Sequence, residues 1–270
     1  MRTNDSSSFN PHYLKYLALT GSTNLHAAAA AGTEKLRSAL ALQPGNRVLE
    51  IGCGTGATML KFASESKVQV DGVDILQEML EVARVRLRAA GLGNALVHAD
   101  ATVALPFRNE AYDSVFTESV LGIHSPESAE SFLREVWRVL KVGGRFVANE
   151  GVWKAGTAPE IVAEIDQACR EDFGFSFASC AGWSKDDWRL CMKRAGFTDV
   201  RTQVLDLHDS ASIAASRNHR VSQFVTLAFR LKAFLNHRLD GHHRQYQKLL
   251  DRHRNDHKHI EAHLFEAIKR

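Results

Sequence analysis

Val48-Leu49-Glu50-Ile51-Gly52-Cys53-Gly54-Thr55-Gly56-Ala57 decides the fold. An apolar run around one acid ends in three alternate glycines, and a run suited to a helix, Thr58 to Ala63, follows. A strand that turns sharply into a helix needs such residues. Glycine reaches positive φ and lets the backbone approach a ligand closely. The helix start then offers unpaired N–H groups and the positive end of its dipole. The corner therefore suits a ligand that carries a nucleoside and an anionic group.

Two such ligands compete. Gly52, Gly54 and Ala57 satisfy the dinucleotide pattern G-x-G-x-x-G/A, which would make the chain a nicotinamide-dependent oxidoreductase. Glu50 argues otherwise, because it ends the strand just before the first glycine. A carboxylate there repels a pyrophosphate but accepts hydrogen bonds from an ammonium group. A molecule with an amino acid at one end and adenosine at the other fits, and S-adenosylmethionine is such a molecule.

The chain has 270 residues, 44% of them hydrophobic and 24% charged, which suits one large α/β domain with an elaboration. No apolar run reaches the length of a membrane span, and Met1 to Ser8 lacks the apolar core of a signal peptide. The four cysteines form no C-x-x-C pair, so reduced thiols in the cytoplasm are expected and a metal site is not. Residues 211–270 hold 12 Lys/Arg against 5 Asp/Glu, and nine of the thirteen histidines lie from His208 onward. A nucleic-acid methyltransferase or binder could use this basic segment. The solvated face of a helical segment explains it equally, and no Asn-Pro-Pro-Tyr-type base-handling motif is present.

Outward from the corner, strands and helices alternate. Residues 9–42 read as helical and stop at Pro44-Gly45, before a first strand at Arg47–Ile51. Val68–Val73 alternates as a second strand ending at Asp74, and Gln77–Ala90 carries an apolar helical stripe. Ala95–His98 is a short third strand before Asp100-Ala101, and Tyr112–Phe116 is a fourth. Ser128 opens the next helix, Val142-Gly143-Gly144 turns, and Arg145–Asn149 is a fifth strand. This alternation implies right-handed crossovers and a parallel, doubly wound sheet whose ligands bind beyond the carboxyl ends of the strands. Glu50, Asp74, Asp100, Glu118 and Glu150 all fall at those ends.

Beyond Gly151, helices are expected at Pro159–Phe173 and from Ser184 to Ala195, with a sixth strand at Val200–Leu207. Ile213–Leu239 reads as a helix with Phe224, Leu227, Leu231, Phe234 and Leu235 along one face, and His242–Lys258 as a polar helix. That apolar face is too large to leave in water, so it should dock on the core, pair with a second subunit or cover a ligand. Ile260 to Ile268 fits both an edge strand and a helix, and the strand is the preferred reading.

With the glycine corner, Gly72-Val73-Asp74, Asp100-Ala101, Leu105-Pro106-Phe107 and Arg138-Val139-Leu140-Lys141-Val142-Gly143-Gly144 in hand, the chain resembles the class I S-adenosylmethionine-dependent methyltransferases. The likeness covers roughly residues 47 to 207 and is nearest the branch acting on quinones, sterols and small amines. Val142 departs from it, standing where that branch usually has proline. The resemblance implies a Rossmann-like seven-stranded sheet. Residues 1–45 would be an N-terminal helical cap, 46–207 the cofactor-binding core, 208–260 a helical lid insertion and 261–270 the final strand. It implies that Glu50, Gly52, Gly54 and Gly56 hold the methionyl part, with Glu118 facing that end, that Asp74 takes the ribose and Asp100 and Ala101 the adenine, and that Cys53 and Ile75 also bind the cofactor.

The expected activity is in-line methyl transfer from S-adenosylmethionine to an oxygen, nitrogen or carbon nucleophile of a small molecule, and a homodimer is one expected assembly. Proximity and alignment carry most of such a reaction. Where a general base is needed, His124, just after the fourth strand, leads, followed by His26, Glu150 and His208.

Overall fold

The computed structural model describes residues 10–23, 29–93, 95–179, 181–205, 217–235 and 242–270. Two helices, α1 (His12–Leu19) and α2 (Ala29–Leu40), precede the core. The core then runs β1 (Arg47–Ile51), α3 (Ala57–Glu65), β2 (Gln69–Asp74), α4 (Gln77–Ala89), β3 (Leu96–His98), β4 (Tyr112–Glu118), α5 (Pro126–Val139) and β5 (Leu140–Trp153). It continues through α6 (Pro159–Phe173), α7 (Lys185–Arg194), β6 (Thr198–Leu205), α8 (Arg217–Leu235), α9 (His242–Arg252) and β7 (Ile260–Ile268). Short 3-10 turns stand at Leu121–Ile123 and His253–Lys258.

The strands form one seven-stranded sheet in the order β3-β2-β1-β4-β5-β7-β6. β1 pairs in parallel with β2 and β4, which buries it on both sides and explains its apolar run. Alternate residues serve opposite faces: Leu49 and Ile51 pack with α5 and α7, whereas Val48 packs with α2, α3 and α4. In register, Glu50 lies beside Gly72 of β2 and Phe116 of β4, so Glu50, Asp74 and Glu118 emerge at one sheet edge.

β7 is a strand, antiparallel to both β5 and β6. The slot between those two strands decides what local spacing left open, because a helix there would leave both edges unpaired. The glycine turn at Val142–Gly144 falls inside β5, as an irregularity between the Tyr112–Leu140 and Ser114–Arg145 pairs. α5 begins earlier than Ser128, because Ser125 caps it by accepting the Ser128 N–H and Pro126 fills the first turn. α7 starts as expected, with Asp187 accepting from both the N–H and the hydroxyl of Ser184.

Within residues 208–260 the structure describes α8 and α9. α8 packs on α1, α3 and α4 through Val225 and Ala233, both buried. Its bulkier stripe points outward: Phe224 is 70% exposed and Phe234 60%, with Leu227, Leu231 and Leu235 also exposed. Phe229 docks beside Val225 and Ala233 against Leu17, Met79 and Val82, and α8 comes so close to backbone at Gly21 that an added Cβ there would lie 3.1 Å from Phe229 Cβ.

Candidate active site

The corner between β1 and α3 is built from left-handed glycines, with φ of 72° at Gly52, 50° at Gly54 and 75° at Gly56. The Gly52 and Cys53 N–H groups donate to Val73 O at 2.8 and 3.0 Å, which ties the corner to the end of β2. A Cβ on Gly52 would lie 2.4 Å from Val120 Cγ2, whereas one on Gly54 would meet nothing within 4 Å. Gly54 thus turns bare backbone to open space, as close ligand approach requires.

Beyond the strand ends lies a cavity of about 370 Å³. The structure brings Glu50, Gly52, Cys53, Gly54, Asp74, Ile75, Asp100, Ala101 and Glu118 to its wall. Gly56 is not on that wall: a Cβ there would lie 2.9 Å from Ala83 Cβ, so Gly56 lets α3 and α4 pack together.

The carboxylates of this wall are individually held. Asp74 accepts the Gly54 N–H on Oδ2 and the Leu76 N–H on Oδ1, both at 2.8 Å. Each of its oxygens keeps a further acceptor site for a ligand hydroxyl. Asp100 Oδ1 accepts from the Thr102 N–H at 2.8 Å and the Thr102 hydroxyl at 2.7 Å. Glu118 accepts from Thr33 at 3.0 Å and Asn149 at 3.2 Å on Oε1, and from Thr58 at 2.9 Å on Oε2. Sequence reading missed these three partners, since α2, α3 and β5 meet only in the fold.

Glu50 differs from the others. It is 4% exposed, and its Oε2 is buried with no hydrogen-bond partner. Burial, then the nearby Glu118 and Asp74 charges, push its carboxyl well above the usual range. An uncompensated carboxylate of this kind is costly unless a cation meets it. An ammonium group supplies that partner, and a pyrophosphate would worsen the repulsion. The residues present therefore fit the amino-acid and ribose ends of S-adenosylmethionine.

The expected bases separate. His124 lines the cavity, with its ring 5.0 Å from that of Phe132 and a buried Nε2 that has no partner. Burial holds it down at about 4, against a smaller opposing effect from the Asp100 charge, so its ring is neutral at physiological pH. Glu150 is not at the cavity wall. It is buried behind the loop after β4, where Oε1 accepts the Val120 N–H at 3.1 Å. Burial raises it to about 8 despite the N–H groups of Val120, Leu121 and Gly122. Glu150 is thus corrected from candidate base to a loop-shaping residue. His26 and His208 lie outside the described residues.

Leu14 and Thr23 of the N-terminal segment, with Ile123, Phe132 and Phe175, also line the cavity. α1 is held in place by α9: Tyr246 packs 5.0 Å from Tyr13 and 4.6 Å from Tyr16, and its hydroxyl meets His12 Nδ1 at 2.7 Å. Arg86 of α4 is fully buried and donates to the carbonyls of Thr55 and Gly21 and to the Thr226 hydroxyl. One side chain thereby joins the glycine corner, the loop after α1 and α8. Among the described residues none of 217–258 touches the cavity, so this segment acts on it through α1 and the loop.

Comparison with known proteins agrees with this geometry. Residues 48–144 match a family described as a methyltransferase domain. The chain is 30% identical to methyltransferase GfsG of Streptomyces halstedii over 181 residues, which cover 64% of this chain and 62% of that protein. Among solved structures, a Haemonchus contortus phosphoethanolamine N-methyltransferase 2 bound to phosphomonomethylethanolamine and S-adenosylhomocysteine superposes with a TM-score of 0.68 at 18% identity, covering 99% of this chain and 58% of that one. The [4+2]-cyclase SpnF does so with a TM-score of 0.67 at 20% identity, covering 98% of this chain and 96% of that one.

Proposed function

We propose that this chain, whose residues 48–144 match a methyltransferase domain, is a class I S-adenosylmethionine-dependent methyltransferase that methylates an uncharged, largely apolar small molecule at an oxygen, nitrogen or carbon nucleophile. The buried, unpartnered Glu50 oxygen beneath the left-handed glycine corner carries this reading. Glu50 would hold the cofactor's ammonium, the Gly52–Gly54 backbone its methionyl part, and Asp74 its ribose hydroxyls. Ile75, Asp100 and Ala101 would hold the adenine, and Glu118 faces the methionyl end. When bound, the cofactor supplies a methyl group already activated on sulfonium.

The chain's own part is then chiefly to align the acceptor and exclude water. Leu14, Ile123, Phe132 and Phe175 offer the acceptor an apolar wall. The neutral His124 ring is the candidate proton acceptor where the nucleophile must lose a proton. Residues 217–235 and 242–258 serve as a brace on the helical cap. The protein works in the cytoplasm, nucleic acid is not its partner, and two copies cover each other's outward α8 stripes. No helix among the described residues is long and apolar enough to cross a membrane.

Calorimetry with S-adenosylmethionine, S-adenosylhomocysteine and a nicotinamide dinucleotide tests the cofactor. Labelled methyl transfer to a metabolite extract, read by mass spectrometry, tests the reaction. Tight binding of the first two with no label in any product would refute methyl transfer. Binding of the dinucleotide alone would refute the cofactor assignment.

A further inference from the structure

Outside the cavity, α6 and the 3-10 turn before β7 bring three chemically distinct side chains together. Cys169 Sγ, His253 Nδ1 and a carboxylate oxygen of Asp256 all lie within 4.8 Å of one another. Sγ to Nδ1 is 3.7 Å, and Nδ1 to Asp256 Oδ2 is 2.6 Å. Cys169 is 2% exposed and His253 9%. Ligand bonds of about 2.0–2.3 Å place two atoms on a shared tetrahedral zinc ion roughly 3.2–3.7 Å apart. The thiol and the imidazole already stand at such a separation. An ion taking the place of the proton between Nδ1 and Oδ2 requires those two to part by less than about 1 Å.

The surroundings favour this exchange. His253 Nε2 meets Asp172 Oδ2 at 2.9 Å, and Asp172 is itself anchored by Arg252 at 3.0 Å. A carboxylate on the far nitrogen is how metal-bound histidines are usually oriented, because it fixes the tautomer that presents the other nitrogen. Asp166, one turn before Cys169 on α6, has a buried Oδ1 with no partner. A thiolate, an imidazole and a carboxylate together form a donor set suited to zinc.

We propose that Cys169, His253 and Asp256 bind a structural zinc ion, with Asp172 orienting His253 and Asp166 or a water molecule completing the shell. Binding displaces the Cys169 thiol proton and the proton shared by His253 and Asp256. The ion would tie α6 to the segment leading into β7. It would also brace the roof of the cavity, since the Phe173 ring lies 5.0 Å from both His253 and Tyr13. None of its ligands touches the cavity, so the ion takes no direct part in methyl transfer. Sequence spacing alone points away from a metal, because 84 residues separate Cys169 from His253.

The test uses the full chain, purified without an affinity tag under reducing conditions. Elemental analysis after zinc supply should find about one ion per chain. Cobalt loaded in its place should give a thiolate-to-cobalt charge-transfer band. Cys169→Ser should abolish the band and Cys191→Ser should leave it. Asp172→Asn should weaken zinc affinity by about 10- to 100-fold, measured by competition with a chromophoric chelator. If Cys169→Ser does not fold, the cobalt spectrum of the unaltered chain decides. Three results would overturn the proposal: no stoichiometric zinc, cobalt bound with no thiolate band, or a band that survives Cys169→Ser. In the first, the cluster is His253 hydrogen-bonded between Asp172 and Asp256.

Discussion

Glu50→Gln keeps the side chain's shape and removes its charge. A charge-assisted hydrogen bond contributes about 1.5–3 kcal/mol, so S-adenosylmethionine affinity should fall by roughly 10- to 100-fold. Stability without ligand should move the other way or not at all. Glu50 Oε2 has no protein partner to lose, and its carboxyl is opposed by Glu118 and Asp74. The pH dependence follows with a definite sign. In the ligand-free protein Glu50 keeps its proton above the ordinary carboxylate range, whereas an ammonium ligand favours the charged form. Binding therefore releases a proton, and affinity should climb with pH up to the raised Glu50 value, by at most about tenfold per pH unit. Glu50→Gln should flatten that climb. Calorimetry in buffers of different ionisation enthalpy reads affinity and proton release together, and thermal unfolding reads the ligand-free protein. The reasoning fails if affinity is unchanged. It also fails if the ligand-free variant loses as much stability as the ligand loses affinity, because Glu50 would then be a structural acid.

Asp74→Ala should weaken cofactor binding by about 1–3 kcal/mol through lost ribose hydrogen bonds and lower the melting temperature, because the Gly54 and Leu76 N–H groups lose their acceptor; calorimetry showing full affinity in a folded variant would remove Asp74 from the site. His124→Ala should lower kcat with little change in cofactor affinity. With His124 held at about 4, the rate profile of the unaltered enzyme should lack a histidine inflection near 6.5, and one that vanished in the variant would contradict the desolvated ring. For Glu150, raised from 4.5 in the free residue to about 8, the folded state keeps a proton that the unfolded chain gives up. Its contribution to stability is full below about 4.5 and is lost as pH rises through about 8. Urea midpoints across that window should decline, and Glu150→Gln should reduce the decline; parallel curves for the two proteins would count against a buried, protonated Glu150.

What was legible in the sequence was what is local. Alternation and glycine spacing placed β1, β2, β4 and α6 nearly to the residue, and the strand-end acids Glu50, Asp74, Asp100 and Glu118 do meet in one cavity. Arg86 and Glu150 are charged, yet both are buried in the fold. Arg86 follows Met79 and Ala83 along the inner face of α4, a spacing that could have marked it as buried. Glu150 lies past the expected end of its strand, which in fact continues to Trp153 because β7 pairs with it throughout. Periodicity tells which residues of α8 share a face and not which face docks: Val225, Phe229 and Ala233 turn to the core, and Phe224, Leu227, Leu231, Phe234 and Leu235 face outward.

The cavity's charge carries the argument about the acceptor one step further. Its described wall holds four carboxylates and no lysine or arginine. Such a wall admits a cationic amino acid and neutral hydroxyls, and it opposes phosphate or carboxylate groups on a second ligand. An acceptor bearing a diphosphate would need a cation that the wall does not provide. What remains beside the apolar surface of Leu14, Ile123, Phe132 and Phe175 is room for an uncharged, hydrophobic molecule. Selectivity among such acceptors then rests with α1 and the segment around Phe175. Both are positioned from behind, by Tyr246 on Tyr13 and Tyr16 and by Phe173 on Tyr13 and Phe177. The fold can keep its cofactor end constant while this braced roof changes, since no residue of the brace among those described touches the strand ends that hold Glu50 and Asp74.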